Sequence, residues 1–225
     1  MARRINLESR QATGEKRRAR TRDKLLRAAS ECIAEKGWGA SIDDIIQRAG
    51  VSRGSYYNFF PKSGDLADAL LDELARVSAA RMGGLRLNRS DPAELVAIDQ
   101  HYRLRLVEID PVSSWLATHF HNSDPVYAPR VEQSYARVVE AGIGAGRFRA
   151  VNPQASVALL LGSTTYAQRM IMAGAGEPEQ LAVDVATMQL ELLGLDRDEA
   201  ARISREMRQA VFDLSVAEDW SRLYA

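Results

Sequence analysis

Apolar residues recur at helical spacing along almost the whole chain from residue 21 onward. Leu25, Leu26, Ala29, Cys32 and Ile33 share one face of a helix predicted over 21–35, which ends at Lys36-Gly37, where the glycine suits a left-handed cap. Cys32 sits on that stripe and reads as packing, and Trp38 reads as a lid on the small core beneath. Ile42, Ile45, Ile46 and Ala49 form the buried face of a short second helix. Ser41-Ile42-Asp43-Asp44 opens it, with a capping serine and an acid three residues later. Gly50 allows a sharp turn, Val51 plugs it, and Ser52 caps a third short helix that runs to Phe60 and stops at Pro61. Residues 1–20 lack apolar periodicity and read as a mobile basic arm.

Beyond Pro61 the pattern predicts a helix over 65–82, a loop from Gly83-Gly84 to Pro92, and helices over 92–108, 112–121, 125–145, 153–174 and 178–194. Asp-Pro, Asn-Pro and glycine clusters supply the breaks. Asp196 and Glu199 cap a last helix with Ile203, Met207, Ala210, Val211 and Leu214 on one face. No strand alternation and no internal repeat occurs. The expected fold is all-α: an arm (1–20), a three-helix head (21–66) and a larger helical body (67–225).

Charge changes the picture. The 30 basic and 30 acidic residues cancel overall, but residues 1–62 hold 14 Lys/Arg against 7 Asp/Glu, and the remainder holds 16 against 23. A basic head on an acidic body points to a polyanion at one end only. The longest apolar run, 155–161, is far short of the ~18 residues that a membrane span needs. The residues after Arg3-Arg4 are too polar for an export signal. One cysteine excludes an internal disulfide. The expectation is a soluble cytoplasmic protein without membrane contact.

The two short helices joined by Ala49-Gly50-Val51-Ser52 make a helix-turn-helix, whose second helix is built to enter a major groove. Arg53 and Tyr57, four apart, share its outward face, while Tyr56 and Phe60 turn inward with Val51. Arg53 suits a bidentate guanine contact. Gly54 lets the backbone approach DNA, and Tyr57, Lys62 and the hydroxyls of Ser41 and Ser52 suit phosphates. Such geometry by itself also describes an ordinary helical corner.

The run from Ser41 to Ile46, with Ala49-Gly50-Val51-Ser52-Arg53-Gly54-Ser55 and Tyr57-Asn58-Phe59-Phe60 and the spacing to Leu66, resembles the signature of the tetracycline-repressor (TetR) family. The likeness covers roughly residues 21–70. It implies a bacterial transcription regulator in which Ser41, Arg53, Ser55, Tyr57 and Asn58 contact double-stranded DNA. Two positions depart from the pattern. Ser63 stands where the family carries a phosphate-binding lysine, with Lys62 one residue earlier, and Phe59 cannot hydrogen-bond.

In the body, helices 153–174 and 178–194 are apolar on more than one face, which suggests a partner subunit. Val157, Leu161, Thr164, Val185, Met188 and Leu192 are the candidate homodimer contacts. Ala155, Ala158 and Gly162 form a second stripe of small residues. The resemblance implies the same: a symmetric four-helix interface, a near-palindromic operator, and a small ligand held between the helix after the head and the middle helices. Tyr102, Trp115, His119, Phe120 and Tyr135 are candidates for the pocket, and equally for plain core. His119 and His121 point roughly 200° apart on a helix and have only His101 as a possible third ligand, so no metal is expected. No cofactor motif or catalytic pattern appears. The resulting expectation is a non-enzymatic homodimeric repressor released from DNA by a small apolar effector. The alternatives are a regulator without an effector and, far behind, a helical enzyme using His119 or His121 as base.

Overall fold

The computed structural model describes residues 2–36, 39–62, 64–123, 127–149 and 151–212; the side chains of residues 2–12, Ala34, 119–123, 127, 128 and 130 lie outside the description. Trp38, Ser63 and Leu214 therefore fall outside it, as do the side chains of His119, Phe120 and His121. The described residues form ten helices and no strand: α1 (Ala2–Lys36), α2 (Ile42–Ala49), α3 (Arg53–Phe59), α4 (Asp65–Arg86), α5 (Pro92–Ile109), α6 (Pro111–Ser123), α7 (Tyr127–Gly144), α8 (Pro153–Met172), α9 (Pro178–Leu192) and α10 (Arg197–Phe212). No described helix is long and apolar enough to cross a membrane.

Two elements differ from the sequence pattern. α1 begins at Ala2, not near Thr21. Its first twenty residues lack an apolar face but are mostly Ala, Arg, Lys, Glu, Gln and Leu, and intrinsic propensity forms a helix without burial. α4 runs through Gly83-Gly84 to Arg86. Two glycines weaken a helix by about 1 kcal/mol each. The segment beyond them is anchored by Leu85, which is buried, and by Arg86, which donates to Asp99 at 2.6 Å.

The chain divides into two compact units, one ending at Glu73 and the other beginning at Leu74, within α4. The first has a small core of Leu25, Leu26, Ala29, Cys32, Ile33, Ile45, Tyr56, Phe60 and Leu70, all buried. Burial pushes the Cys32 thiol pKa up, as expected for a packing residue. The second unit is organised around α5, which packs against α6, α7, α8, α9 and α10. Arg147 fixes one end of α5: it pairs with Asp91, the α5 cap, at 2.9 Å and with Glu199 of α10 at 2.9 Å.

Encirclement makes the polar residues of α5 expensive unless paired. Gln100 accepts from the Gln189 amide at 3.1 Å and is joined by Thr164. His101 Nε2 lies 3.2 Å from Ser204 Oγ, and that hydroxyl donates to the Val183 carbonyl at 3.0 Å. Ser204 has one proton, already given to Val183, so it accepts from His101, which fixes the proton on Nε2. Nδ1 is buried with no partner. Protonating it would place an unpaired charge in the core, and burial accordingly lowers the His101 pKa to about 4.

A histidine with a folded-state pKa below its unfolded value contributes full stability above about pH 6.5, and that contribution drains away as pH falls toward 4. A gap of this size is worth about 3 kcal/mol. Asp110, whose carboxyl pKa is raised by burial, acts in the opposite sense. We therefore expect the stability of wild type minus that of His101→Gln to fall between pH 6.5 and 4 in urea titrations, a difference in which Asp110 cancels. A flat difference curve would show that His101 takes up its proton without cost.

Candidate nucleic-acid interface and effector cavity

Local capping chemistry builds the helix-turn-helix. The Ser41 hydroxyl accepts from the Asp44 N–H at 3.1 Å, and the Asp44 carboxylate accepts from the Ser41 N–H at 2.9 Å. Lys36 adds an ion pair to Asp44 at 2.6 Å and, with the Ser41 bonds, holds that carboxyl well below the usual carboxylate range. Gly50 ends α2 at φ 65°, a conformation that a side chain would strain. Ser52 Oγ accepts from the Ser55 N–H at 3.1 Å and starts α3. Tyr56 and Phe60 are buried and anchor α3 to the core.

That anchoring presents the other face of α3. Arg53, Gly54, Tyr57 and Asn58 are exposed, as is Lys62 just beyond the helix, while Ser55 is half-buried. A Cβ on Gly54 would meet nothing nearer than Ser52 Oγ at 4.0 Å, so the fold itself does not require glycine there. Arg53 Nη2 donates to both carboxylate oxygens of Asp43, at 2.8 and 2.9 Å. Both side chains are open to solvent, so the pair is an orienting contact and adds little stability. Phe59 lies under the Arg18 guanidinium, 5.5 Å from the ring centroid, which gives the non-hydrogen-bonding ring a cationic neighbour. Lys16, Arg20, Lys24, Arg27 and Arg48 border a groove of about 940 Å³ along α1. The roles of Asp43 and Arg18 were not anticipated from sequence; Asp43 and Arg53 are ten residues apart, and nothing local signals a contact across the turn.

In the second unit, a cavity of about 380 Å³ lies among α4, α5, α6, α7 and α8. Ala75, Ala79, Met82 and Leu106 give it apolar wall, and Arg86, Asp99, Tyr102 and Arg103 give it polar wall. Of the residues anticipated from sequence, Tyr102 lines it. Tyr135 is buried, with the Arg103 guanidinium 5.4 Å from its ring centroid, and its hydroxyl pKa is raised by burial. Trp115 is half-buried in α6. Arg86 and Asp99 were missed, because nothing in the local pattern relates residues thirteen apart across a helix junction. Among the described residues no three His, Cys, Asp or Glu side chains converge as metal ligands.

The six candidate interface residues separate. Val157, Leu161 and Thr164 are buried within the unit, and Thr164 donates to the Leu160 carbonyl at 2.7 Å. Thr164 is tied to the chain's own core through Gln100 of α5, whereas Val157 and Leu161 also border a surface pocket shared with α7. Val185 and Leu192 are half-buried, and Met188 is 67% exposed. The open apolar surface of α8 includes Leu159 (56% exposed) and Tyr166 (65% exposed), with Ala155, Ala158 and Gly162 also exposed, and Met172 at the helix end.

Comparison with known proteins bears on both units. Residues 25–70 match the family described as bacterial regulatory proteins, tetR family, and residues 91–206 match the tetracyclin repressor-like C-terminal domain. An uncharacterized HTH-type transcriptional regulator of Bacillus subtilis, YvdT, is 42% identical over 53 residues, which are 23% of this chain; the chain thus spans only 27% of that relative. Among solved structures, RolR in complex with resorcinol is 22% identical, with a TM-score of 0.64 over 84% of this chain and 95% of that one. FadR from Bacillus subtilis in complex with stearoyl-CoA is 19% identical, with a TM-score of 0.64 over 77% and 98%. A gamma-butyrolactone receptor is 15% identical, with a TM-score of 0.65 over 86% and 97%. At these identities the structural matches establish a shared fold.

Proposed function

The chain belongs to the TetR family of DNA-binding transcriptional regulators, which are not enzymes, and from that premise we propose that it is a homodimeric repressor released from its operator by a small organic ligand. The observation that carries the reading is the α3 face. A short helix is anchored by Tyr56 and Phe60 and offers Arg53, Gly54 and Tyr57 to solvent, with a basic groove on α1 of the same unit. Arg53 reads a base, Tyr57, Lys62, Ser41 and Ser52 hold phosphates, Ser55 and Asn58 complete the contact, and Gly54 admits the backbone. Lys62 takes the phosphate role that the Ser63 position holds elsewhere.

The open apolar residues of α8 and α9 support a second copy as partner: Leu159, Tyr166 and Met188 are large, exposed and close in chain order to small residues that allow helix approach. A two-fold dimer sets two α3 helices in successive major grooves, about 34–36 Å apart, on a near-palindromic site. The cavity supports a ligand, as do the resorcinol and stearoyl-CoA held by RolR and FadR. α4 supplies Ala75, Ser78, Ala79 and Met82 to the cavity wall and is continuous with the DNA-binding unit, so a ligand that displaces α4 acts on the head through one helix.

Four outcomes are expected. Arg53→Ala loses about 1–3 kcal/mol of specific binding and relaxes one position per half-site in a binding-site selection. Asp43→Asn frees Arg53 from its carboxylate and raises operator affinity, whereas unchanged affinity would make the Asp43 pair a bystander. Tyr166→Glu combined with Met188→Glu, both exposed and so compatible with folding, gives a sedimenting monomer that binds operator weakly; a dimer that survives both changes places the interface elsewhere. For the switch itself, fluorescence anisotropy of a labelled operator with added ligand is expected to show a 5–150-fold loss of affinity, the range set by couplings of about 1–3 kcal/mol. Ligand bound to the protein with operator affinity untouched would refute induction.

A further inference from the structure

The walls of the cavity carry donors without acceptors. Arg86 gives Nη2 to Asp99 Oδ1, but its Nε is buried and has no partner. The Tyr102 hydroxyl, on a residue only 3% exposed, lines the same space and has no hydrogen-bond partner either, although Ser78 and Arg81 stand beside it. Behind the wall, the Tyr135 hydroxyl is also buried and unpartnered, next to Arg103. Buried polar groups in folded proteins are satisfied almost without exception, so unsatisfied ones that share a cavity mark what the cavity is waiting for. The charges agree. The described lining residues include two guanidiniums, Arg86 and Arg103, and one carboxylate, Asp99, which is paired with Arg86.

Resting on the ligand-responsive reading above, we propose that the effector is a small organic monoanion, a carboxylate on a compact apolar body, with its acid group seated against Arg86, Tyr102 and Arg103. A carboxylate brings two oxygens and about four lone-pair sites, and it brings no donor. It therefore supplies the acceptors that Arg86 Nε and Tyr102 lack and complements the guanidiniums of the wall. An amine would bring a further cation beside them. A neutral alcohol or phenol brings one oxygen and a donor of its own, so it meets the two unpartnered donors less well than a carboxylate. The apolar body lies on Ala75, Ala79, Met82 and Leu106. A volume of about 380 Å³ is at the small end of ligand pockets (~300–1,000 Å³), which suits a single ring or a short chain and excludes a bulky conjugate.

The test uses the full-length protein and matched probes: benzoate, phenylacetate, cinnamate and hexanoate, each beside its neutral amide, with phenol as a neutral hydroxyl probe. Binding is measured by isothermal titration calorimetry at neutral pH. At least one acid is expected to bind, with its amide weaker by about tenfold or more, the range of a charge-assisted hydrogen bond. Tyr102→Phe, which keeps the ring and removes the hydroxyl, weakens the acid by about tenfold. Asp99→Asn gives the discriminating sign. It removes the competing carboxylate and tightens binding of an anion, whereas it weakens a ligand held through its hydroxyl. Amides or phenol binding more tightly than the acids, loss of binding in Asp99→Asn, or silence of every acid at millimolar concentration each overturn the proposal. An acid that binds as described but leaves operator affinity unchanged overturns the repressor-release reading while the anion site stands.

Discussion

The second unit depends on keeping four consecutive polar residues inside a helix that is covered on all sides. Residues Asp99, Gln100, His101 and Tyr102 follow one another at about 100° per position and so point in four directions. Each direction meets a different element: Asp99 meets Arg86 of α4, Gln100 meets Thr164 of α8 and Gln189 of α9, His101 meets Ser204 of α10, and Tyr102 meets the cavity. Apolar packing tolerates helix rotation and sliding at small cost. A ring of directional bonds does not, because turning α5 by one residue would leave every member buried and unpaired. The central helix is thereby locked in rotation and depth, and α4, α8, α9 and α10, which hold these bonds or the paired residues, inherit that register. Of the four residues Asp99 and Tyr102 line the cavity, and of those two it is Tyr102 whose polar group has no hydrogen-bond partner.

The first unit follows a different rule. Its polar structure is caps, a turn and surface ion pairs such as Arg48 with Glu35, and its core is small. α3 has only seven residues, too short to persist as an isolated helix, and exists because Tyr56 and Phe60 are held in that core. Its outward face is consequently free of structural duty. Gly54 illustrates this: the surrounding protein leaves room for a side chain and the sequence declines it. Arg53 is held by Asp43 across the turn, so its guanidinium must release that carboxylate before it meets another acceptor.

This contrast explains what could be read from the sequence. Ser41 with Asp44, Gly50 and Ser52 announce their geometry within four residues, so the helix-turn-helix and the exposed face of α3 were legible. Helix positions in the second unit were also legible, from periodicity and Pro or Gly breaks. Partner choice was not. Periodicity says that a face of α8 is apolar but not whether α5 or a second chain covers it, and Val157, Leu161 and Thr164 turned inward while Leu159 and Tyr166 turned out. Pairings such as Arg86 with Asp99 or His101 with Ser204 join residues thirteen and 103 positions apart, and no local signal carries them. The helical start of α1 was missed for the converse reason: propensity without amphipathicity leaves no periodic trace.

The placement of weakness in α4 completes the physical picture. Gly83 lines the cavity and Gly84 follows it, in the last turns of a helix whose terminal residue makes the ion pair to Asp99. A Cβ at either glycine would meet no atom within 4 Å, so close packing does not account for them. Their effect is energetic: the backbone is loosened where it passes the cavity, and the far end is retied by buried Leu85 and by a partly buried ion pair. A segment held by a charge pair is the kind of element whose equilibrium a bound charge can bias, because an anion placed there would compete with Asp99 for the same guanidinium. The rigid register of α5 supplies the fixed side of that competition, and α4 supplies the side able to move.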